Sequence, residues 1–246
     1  MLSRKKKYLQ VALNSTLRQA QQIISQLPRS NRILIEAGTP LLKAYGEQGI
    51  RKIKSWWQEQ IWDIKINPPP KPTLKTGLEL TKAQFQDVLT SYIIADYKAM
   101  DRGATEVQIA ARAGASAITV LGQAPIPTID VLMEACEAQK IDAIIDMMNV
   151  DQPYKVLRKL KKLPSVVMLH RGVDETVQGS ARFPIHLINK VKGAFDVLVA
   201  IGGGDTVREV QSAVFNGANI VMVWKEFYQL QDTTAQLAQE FLNTVK

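Results

Sequence analysis

The sequence predicts a single (β/α)8 barrel. Eight short aliphatic or β-branched runs recur along the chain, most closed by Gly or a polar residue. Stretches with helical spacing and charged faces separate most of them. The length of 246 residues suits one such barrel. Strands alternating with helices pair in parallel, and eight such units close a ring, with an open doubly wound sheet as the alternative.

In chain order, strands are expected over Leu9–Leu13, Arg32–Ala37, Tyr92–Asp96, Ala117–Leu121, Ala143–Met147, Val166–Leu169, Val197–Ile201 and Ile220–Val223. Helical patterns cover Thr16–Leu27, Thr105–Ala113, Thr128–Gln139, Pro153–Lys162, His186–Lys192 and Thr206–Asn216. Gly114 and Gly217, in Ala-Gly-Ala and Asn-Gly-Ala turns ahead of two strands, read as helix C-caps. The rhythm breaks between Trp56 and Thr90. Trp56, Trp57 and Trp62 precede Pro68-Pro69-Pro70-Lys71-Pro72, a run that favours an extended path. Thr81 then opens a helical pattern through Phe85, Val88 and Leu89. Residues 1–246 are thus expected to form one barrel domain with an insertion near 60–90 between the second and third strands. The tryptophans are expected to pack this connection onto the barrel or a dimer partner rather than to stack on bases.

The hydrophobic fraction of 46% supports a sizeable core. No apolar run reaches the roughly 18 residues of a membrane span, and no signal-peptide stretch follows the basic start Met1–Lys7. The lone cysteine, Cys136, excludes an internal disulfide and fits a reducing cytoplasm, as a packed thiol in a helical pattern. The net charge of +8 is uneven: residues 1–75 hold 14 Lys and Arg against 4 Asp and Glu, and residues 76–246 hold 17 against 19. That excess would attract phosphorylated substrates or nucleic acid. With no nucleic-acid motif beside it, it reads as solvated faces on the first two helices.

Four groups fall at strand ends, where a β/α barrel carries its chemistry. Asp96, Lys98 and Asp101 follow the third strand. Buried charges cost several kcal/mol each unless paired or used, so they are hard to explain as core. Asp96 and Lys98 share one side of a strand by the period of two, and alternating acid, base and acid keep each other ionised. Glu36 closes the second strand, and two carboxylates plus waters, Glu36 with Asp96, are how Mg²⁺ is usually held. His170 closes the sixth strand and titrates near neutral pH, which suits a proton shuttle; His186, in a helical pattern, reads as structural. Gly202-Gly203-Gly204 follows the seventh strand and Lys225 the eighth. Glycines there let backbone N–H groups approach an anion, and Lys225 adds a point charge.

These residues carry a family resemblance. Asp96-Tyr97-Lys98-Ala99-Met100-Asp101-Arg102-Gly103 resembles the signature of the orotidine 5'-phosphate decarboxylase superfamily, most closely its 3-hexulose-6-phosphate synthase branch. Leu9–Leu13, Glu36–Leu41, Thr119–Gly122, Asp146–Val150 and His170–Glu175 are similar to other strands of that group in the same order. Decarboxylases of the group tend to carry Arg three residues after the histidine; Val173 stands there, which points to the synthase. Asn14 replaces a usual Asp, Trp224 a usual small Gly, and Asp205 adds a negative charge beside the glycine loop.

The resemblance implies an aldehyde-lyase that joins formaldehyde and ribulose 5-phosphate into a hexulose 6-phosphate through a cis-enediolate. Mg²⁺ would sit on Glu36 and Asp96, and His170 would move protons. Lys98 would bond the enediolate oxygens, with Asp101 positioning it or the sugar hydroxyls. Asn14 would contact the sugar, and Gly202, Gly203, Gly204 and Lys225 the phosphate. It also implies a homodimer whose second motif aspartate reaches the neighbouring site. A related sugar-phosphate decarboxylase, an orotidine-phosphate-decarboxylase-like enzyme and a non-catalytic binding barrel remain the alternatives.

Overall fold

Eight parallel strands close in sequence order into one barrel, β1 pairing with both β2 and β8. The computed structural model describes residues 2–62, 91–177, 183–203, 206–223 and 234–244. The strands are β1 (Tyr8–Leu13), β2 (Ile33–Ala37), β3 (Ile93–Ala99), β4 (Ala117–Leu121), β5 (Asp142–Asp146), β6 (Val166–His170), β7 (Leu198–Gly202) and β8 (Ile220–Val223). Each expected strand is present, with ends shifted by a few residues at most. The closed ring excludes the open doubly wound sheet. The expected insertion lies largely in residues 63–90, outside the described residues.

Helices cover the outside. They are α1 (Leu17–Gln26), α2 (Thr39–Trp62), α3 (Gly103–Ala113), α4 (Ile126–Gln139), α5 (Pro153–Leu157), α6 (Val173–Val177), α7 (Ile185–Ala194), α8 (Val207–Phe215) and α9 (Thr234–Thr244). Thr16 starts α1 with a capping box: its hydroxyl accepts from the Gln19 N–H, and the Gln19 side chain reaches back to Thr16. Gly114 ends α3 at φ +92°, and Gly217 lies beyond α8 at φ +94°, so both glycines serve the left-handed turns expected of them.

The tryptophans belong to α2 and not to an irregular insertion. Ile50, Ile53, Trp57 and Ile61 recur at helical spacing and are all buried, which carries the helix through to Trp62 after a kink at Gly46. Trp57 is fully buried, while Trp56 and Trp62 pack at the core's edge. They pack as expected, but from a regular helix. Conversely, α5 stops at Leu157 instead of Lys162. Only Pro153 and Leu157 are buried, leaving no apolar stripe to hold further turns. The unexpected α9 buries Ala238, Phe241 and Leu242, and it contacts α1 and β1. Cys136 is buried in α4, and burial, assisted by Asp142, pushes its thiol up to about 12. Among the described residues no helix is long and apolar enough to cross a membrane.

The barrel has two apolar layers and a polar top. Outward strand residues such as Val11, Ile35, Ile118 and Val199 pack against the helices. Inward residues such as Leu34, Ile94, Ile144, Met168 and Ala200 fill the interior. The period of two then sends the next inward residue of each strand to the top. Gln10, Glu36, Asp96, Thr119, Asp146 and His170 all arrive there.

Gly103, the last residue of the β3 signature, has a packing role. A Cβ at Gly103 would lie 2.7 Å from Leu132 Cβ and 3.0 Å from the Thr128 carbonyl oxygen, so α3 and α4 approach at this point. Both obstacles are fixed to the α4 backbone and cannot swing away. Gly103→Ala is therefore expected to destabilise the fold by about 1–3 kcal/mol, read as a lower urea midpoint with an unchanged slope.

Candidate active site

The polar top opens into a cavity of about 500 Å³ at the C-terminal ends of the strands. Asn14, Glu36, Thr39, Asp96, Lys98, His170, Arg171 and Gly203 line it, together with apolar side chains such as Met148, Val173 and Met222.

Asp96 is the most heavily bonded group. It is 5% exposed and projects inward from β3. Thr119 Oγ1 of β4 donates to it at 2.8 Å. From the start of α2, Thr39 N–H donates at 3.3 Å and Thr39 Oγ1 lies 2.7 Å away. Lys98 Nζ donates to both its oxygens, at 2.9 and 2.8 Å. The first turn of α2 thus points its free N–H groups and its positive end at a buried carboxylate.

Lys98 reaches inward through an irregular stretch. Its φ is +48°, and the β3–β4 register shifts between Ala95 and Ala99. The Lys98 N–H donates to Thr119 Oγ1 at 2.9 Å, which pins this turn. Lys98 Nζ also donates to Asp146 of β5 at 3.1 Å. Burial works against the ammonium, but Asp96, Asp146 and Glu36 outweigh it and hold its pKa above the ordinary lysine value.

Asp146 is fully buried and joins Lys98 to the histidine. His170 Nδ1 lies 2.8 Å from Asp146 Oδ2. Burial opposes ionisation of Asp146, yet His170 and then Lys98 bring it down to about 2. Burial disfavours the charged imidazole, and Asp146 more than compensates, so the His170 pKa is raised. The carboxylate occupies Nδ1, which leaves Nε2 as the nitrogen that exchanges protons.

Glu36 behaves differently. Burial, then the like charge of Asp96, pushes its pKa up to about 8, against the pull of Lys98, Gln10 and His170. Gln10 Nε2 donates to Glu36 Oε2, while the buried Gln10 Oε1 finds no partner. A hard divalent cation would offset the like charge of Glu36 and Asp96, since two carboxylates plus waters suit it. Glu36 and Asp96 are the residues that could hold it. Among the described residues, no group of three or more His, Cys, Asp and Glu forms a fuller cage.

The remaining expected residues fall out as follows. Asn14 lines the cavity beside Gly38, where a Cβ would lie 1.8 Å from Asn14 Oδ1. Gly202 stands opposite His170 in the β6–β7 register; a Cβ there would meet Met222 Cε at 2.5 Å and His170 Cδ2 at 3.2 Å, so this glycine makes room for the imidazole. Gly203 lines the cavity at φ +87°. Gly204 and Lys225, with Asp205 and Trp224, lie outside the described residues. Asp101 is exposed beyond β3, near Glu106 at the start of α3, and does not line the cavity. The second acid on Lys98 is Asp146 instead. Its parity with Asp142 and Ile144 in β5 is the available signal, since alternation places all three inside. Gln10, Thr39 and Thr119 give no sequence signal beyond their own parity and position.

Known proteins share this sequence and architecture. Residues 73–239 match the profile of the Orotidine 5'-phosphate decarboxylase / HUMPS family. A bifunctional enzyme Fae/Hps of Methanosarcina barkeri is 34% identical over 239 residues, covering 97% of this chain and 52% of that protein. The corresponding enzyme of Methanothrix thermoacetophila is 32% identical over 240 residues, covering 97% and 53%. The chain thus spans about half the length of the curated relatives it matches. Among solved structures, the 3-hexulose-6-phosphate synthase of Salmonella typhimurium superposes with a TM-score of 0.76 at 25% identity, covering 97% of this chain and 98% of that one. The 3-keto-L-gulonate-6-phosphate decarboxylase of Vibrio cholerae gives 0.66 at 21% identity, covering 98% of this chain and 99% of that one, a likeness of fold.

Two outcomes follow from the charges. Glu36 ionises in the fold near pH 8, well above its ordinary value of 4.5. Its contribution to stability is complete below about pH 4.5 and is lost as pH rises through about 8. In EDTA the wild-type protein is therefore expected to lose melting temperature between about pH 5 and 8 relative to Glu36→Gln, with Mg²⁺ restoring it at pH 8; parallel curves would refute this. Asp146→Asn removes the charge that supports the imidazolium, so the His170 pKa is expected to fall in an NMR titration.

Proposed function

The chain belongs to the Orotidine 5'-phosphate decarboxylase / HUMPS family, and from that premise we propose that it is an aldehyde-lyase of the 3-hexulose-6-phosphate synthase type. It would condense formaldehyde with ribulose 5-phosphate to a hexulose 6-phosphate. One observation carries the reading: a half-buried ammonium, Lys98, lies between Asp96 and Asp146, and His170 bonds the same Asp146 oxygen as Lys98. That array moves a proton beside a fixed positive charge, which suits making and using an enediolate. The synthase half of the relatives' names supports the choice of reaction.

His170 Nε2 takes a proton from the sugar carbon next to the carbonyl. The electron pair moves onto the carbonyl oxygen and gives the enediolate. That carbon attacks formaldehyde, and the new alkoxide recovers a proton from His170. Asp146 holds the ring by Nδ1 and stabilises its charged form during the exchange. All three Lys98 N–H groups are directed at Asp96 and Asp146, so Lys98 acts through its charge beside the enediolate oxygens. Mg²⁺ held by Glu36 and Asp96 would supply further positive charge against those oxygens. Val173, apolar and in the cavity wall, stands where a decarboxylase of this group carries Arg. Asn14 meets the sugar hydroxyls, and Gly203 with Gly204 and Lys225 takes the phosphate. The working form is a cytoplasmic homodimer in which exposed Asp101 reaches the neighbouring site.

Purified protein is expected to consume formaldehyde with ribulose 5-phosphate and Mg²⁺, and to stop in EDTA. His170→Ala should lower kcat by about 10²–10⁴-fold, and Asp96→Asn should abolish the response to metal. A folded wild-type protein that leaves formaldehyde untouched would redirect the search to another sugar phosphate.

A further inference from the structure

Arg171 has no part in the proton chemistry, yet it lies in the wall of the same cavity. Its side chain is only 12% exposed. The guanidinium stands 5.3 Å from the centre of the Phe183 ring. Its Nη2 donates to the Gly203 carbonyl and lies 3.5 Å from Glu209 Oε1. Its Nε is buried and makes no hydrogen bond. The backbone is engaged too: Arg171 N–H donates to the Gly202 carbonyl at 3.2 Å. A Cβ on Gly203 would lie 2.5 Å from the Arg171 carbonyl oxygen, so the turn at Gly203 wraps closely around Arg171.

Such a guanidinium is costly to bury and is only partly compensated. Glu209 sits in the first turn of α8, where the helix end already favours a carboxylate, and Thr206 Oγ1 lies 3.3 Å from it. Packing on Phe183 and the bond to Gly203 have already fixed the rotamers, so little entropy is lost when a ligand uses the charge. Its neighbour is a glycine turn at a strand end, the local geometry that accepts oxyanions.

We propose that Arg171 is a specificity-determining residue, whose fixed positive charge beside Gly203 selects a phosphorylated sugar over its unphosphorylated counterpart. The proposal rests on the aldolase reading for its substrate and on the geometry of Arg171 and Gly203 for its site. Arg171 is thus the link between the strand that ends in the proton-moving histidine and the strand that ends in the glycine turn.

The test compares wild type, Arg171→Gln and Arg171→Lys, with ribulose 5-phosphate and with ribulose as substrates, and inorganic phosphate as a probe in calorimetry. For Arg171→Gln, KM for ribulose 5-phosphate and Kd for phosphate are expected to rise about tenfold or more, with kcat changed less than about threefold. The slower reaction of ribulose should stay at its wild-type rate, and Arg171→Lys should fall between. Equal losses on both sugars, or a fall in kcat at constant KM, would make Arg171 a merely structural residue and overturn the proposal. Circular dichroism checks folding, and if Arg171→Gln does not fold, Arg171→Lys carries the comparison. If wild type turns over neither sugar, the aldolase reading fails separately. Phosphate binding then decides alone: weaker binding in the variants supports Arg171, and unchanged binding refutes it.

Discussion

One ammonium inside the barrel organises the rest of the site. Lys98 sits between Asp96 and Asp146, and each of those carboxylates is committed elsewhere. Asp96 takes Thr119 and the start of α2; Asp146 takes His170. Removing the ammonium would leave two buried carboxylates and a raised Glu36 facing one another in a closed space, each deprived of the charge that makes burial tolerable. The array is therefore a unit. Its members have shifted proton affinities in opposite directions: Asp146 down, Lys98 and His170 up, Glu36 up by burial. Pushing affinities apart in one cavity lets one group hold charge while another passes a proton.

The fold tolerates this arrangement by segregation. Apolar inward residues fill much of the lower barrel and apolar outward residues seat the helices, so the polar groups of the site gather in one layer at the C-terminal strand ends, apart from Asp142 at the other end of β5. That layer is closed from below and open only to the cavity. The loops above it bring the remaining pieces. The first turn of α2 caps Asp96, the β6 end delivers His170 and Arg171 together, and the β7 end places Gly203 against Arg171. Gly103 and Gly202 serve the same close packing, one letting two helices approach and the other clearing the imidazole.

Much of this is legible without coordinates. The eight strands, the parallel ring, and Glu36, Asp96, Lys98 and His170 as inward strand-end residues follow from alternation and from charges that no core would otherwise carry. Asp146 escapes the same reading. The apolar pattern places the fifth strand one residue late, ending on Met147, and a lone aspartate in an apolar run announces no partner. Asp101 is read on paper as positioning Lys98 or the sugar hydroxyls and reaching a neighbouring site, and it lies exposed past the turn. Spacing along a strand ceases to report direction once the chain turns, and Lys98 at φ +48° already begins that turn. The long helix α2 is hidden because tryptophans near a proline run resemble a linker, although Ile50, Ile53, Trp57 and Ile61 carry a helical stripe.

The sequence by itself determined the fold class and the strand-end charges, because these depend on periodicity and residue type within one element at a time, and its ordered motifs carried the family resemblance. Only the tertiary structure decided which charges meet. Asp96, Asp146 and His170 lie on three different strands, far apart in the chain, and the meeting of the two carboxylates on one ammonium, with His170 on Asp146, depends on barrel closure and strand register, which no local pattern encodes. The same holds for Arg171 and Gly203. Their contact exists because β6 and β7 are neighbours that end level with each other, a property of the closed sheet and not of either segment.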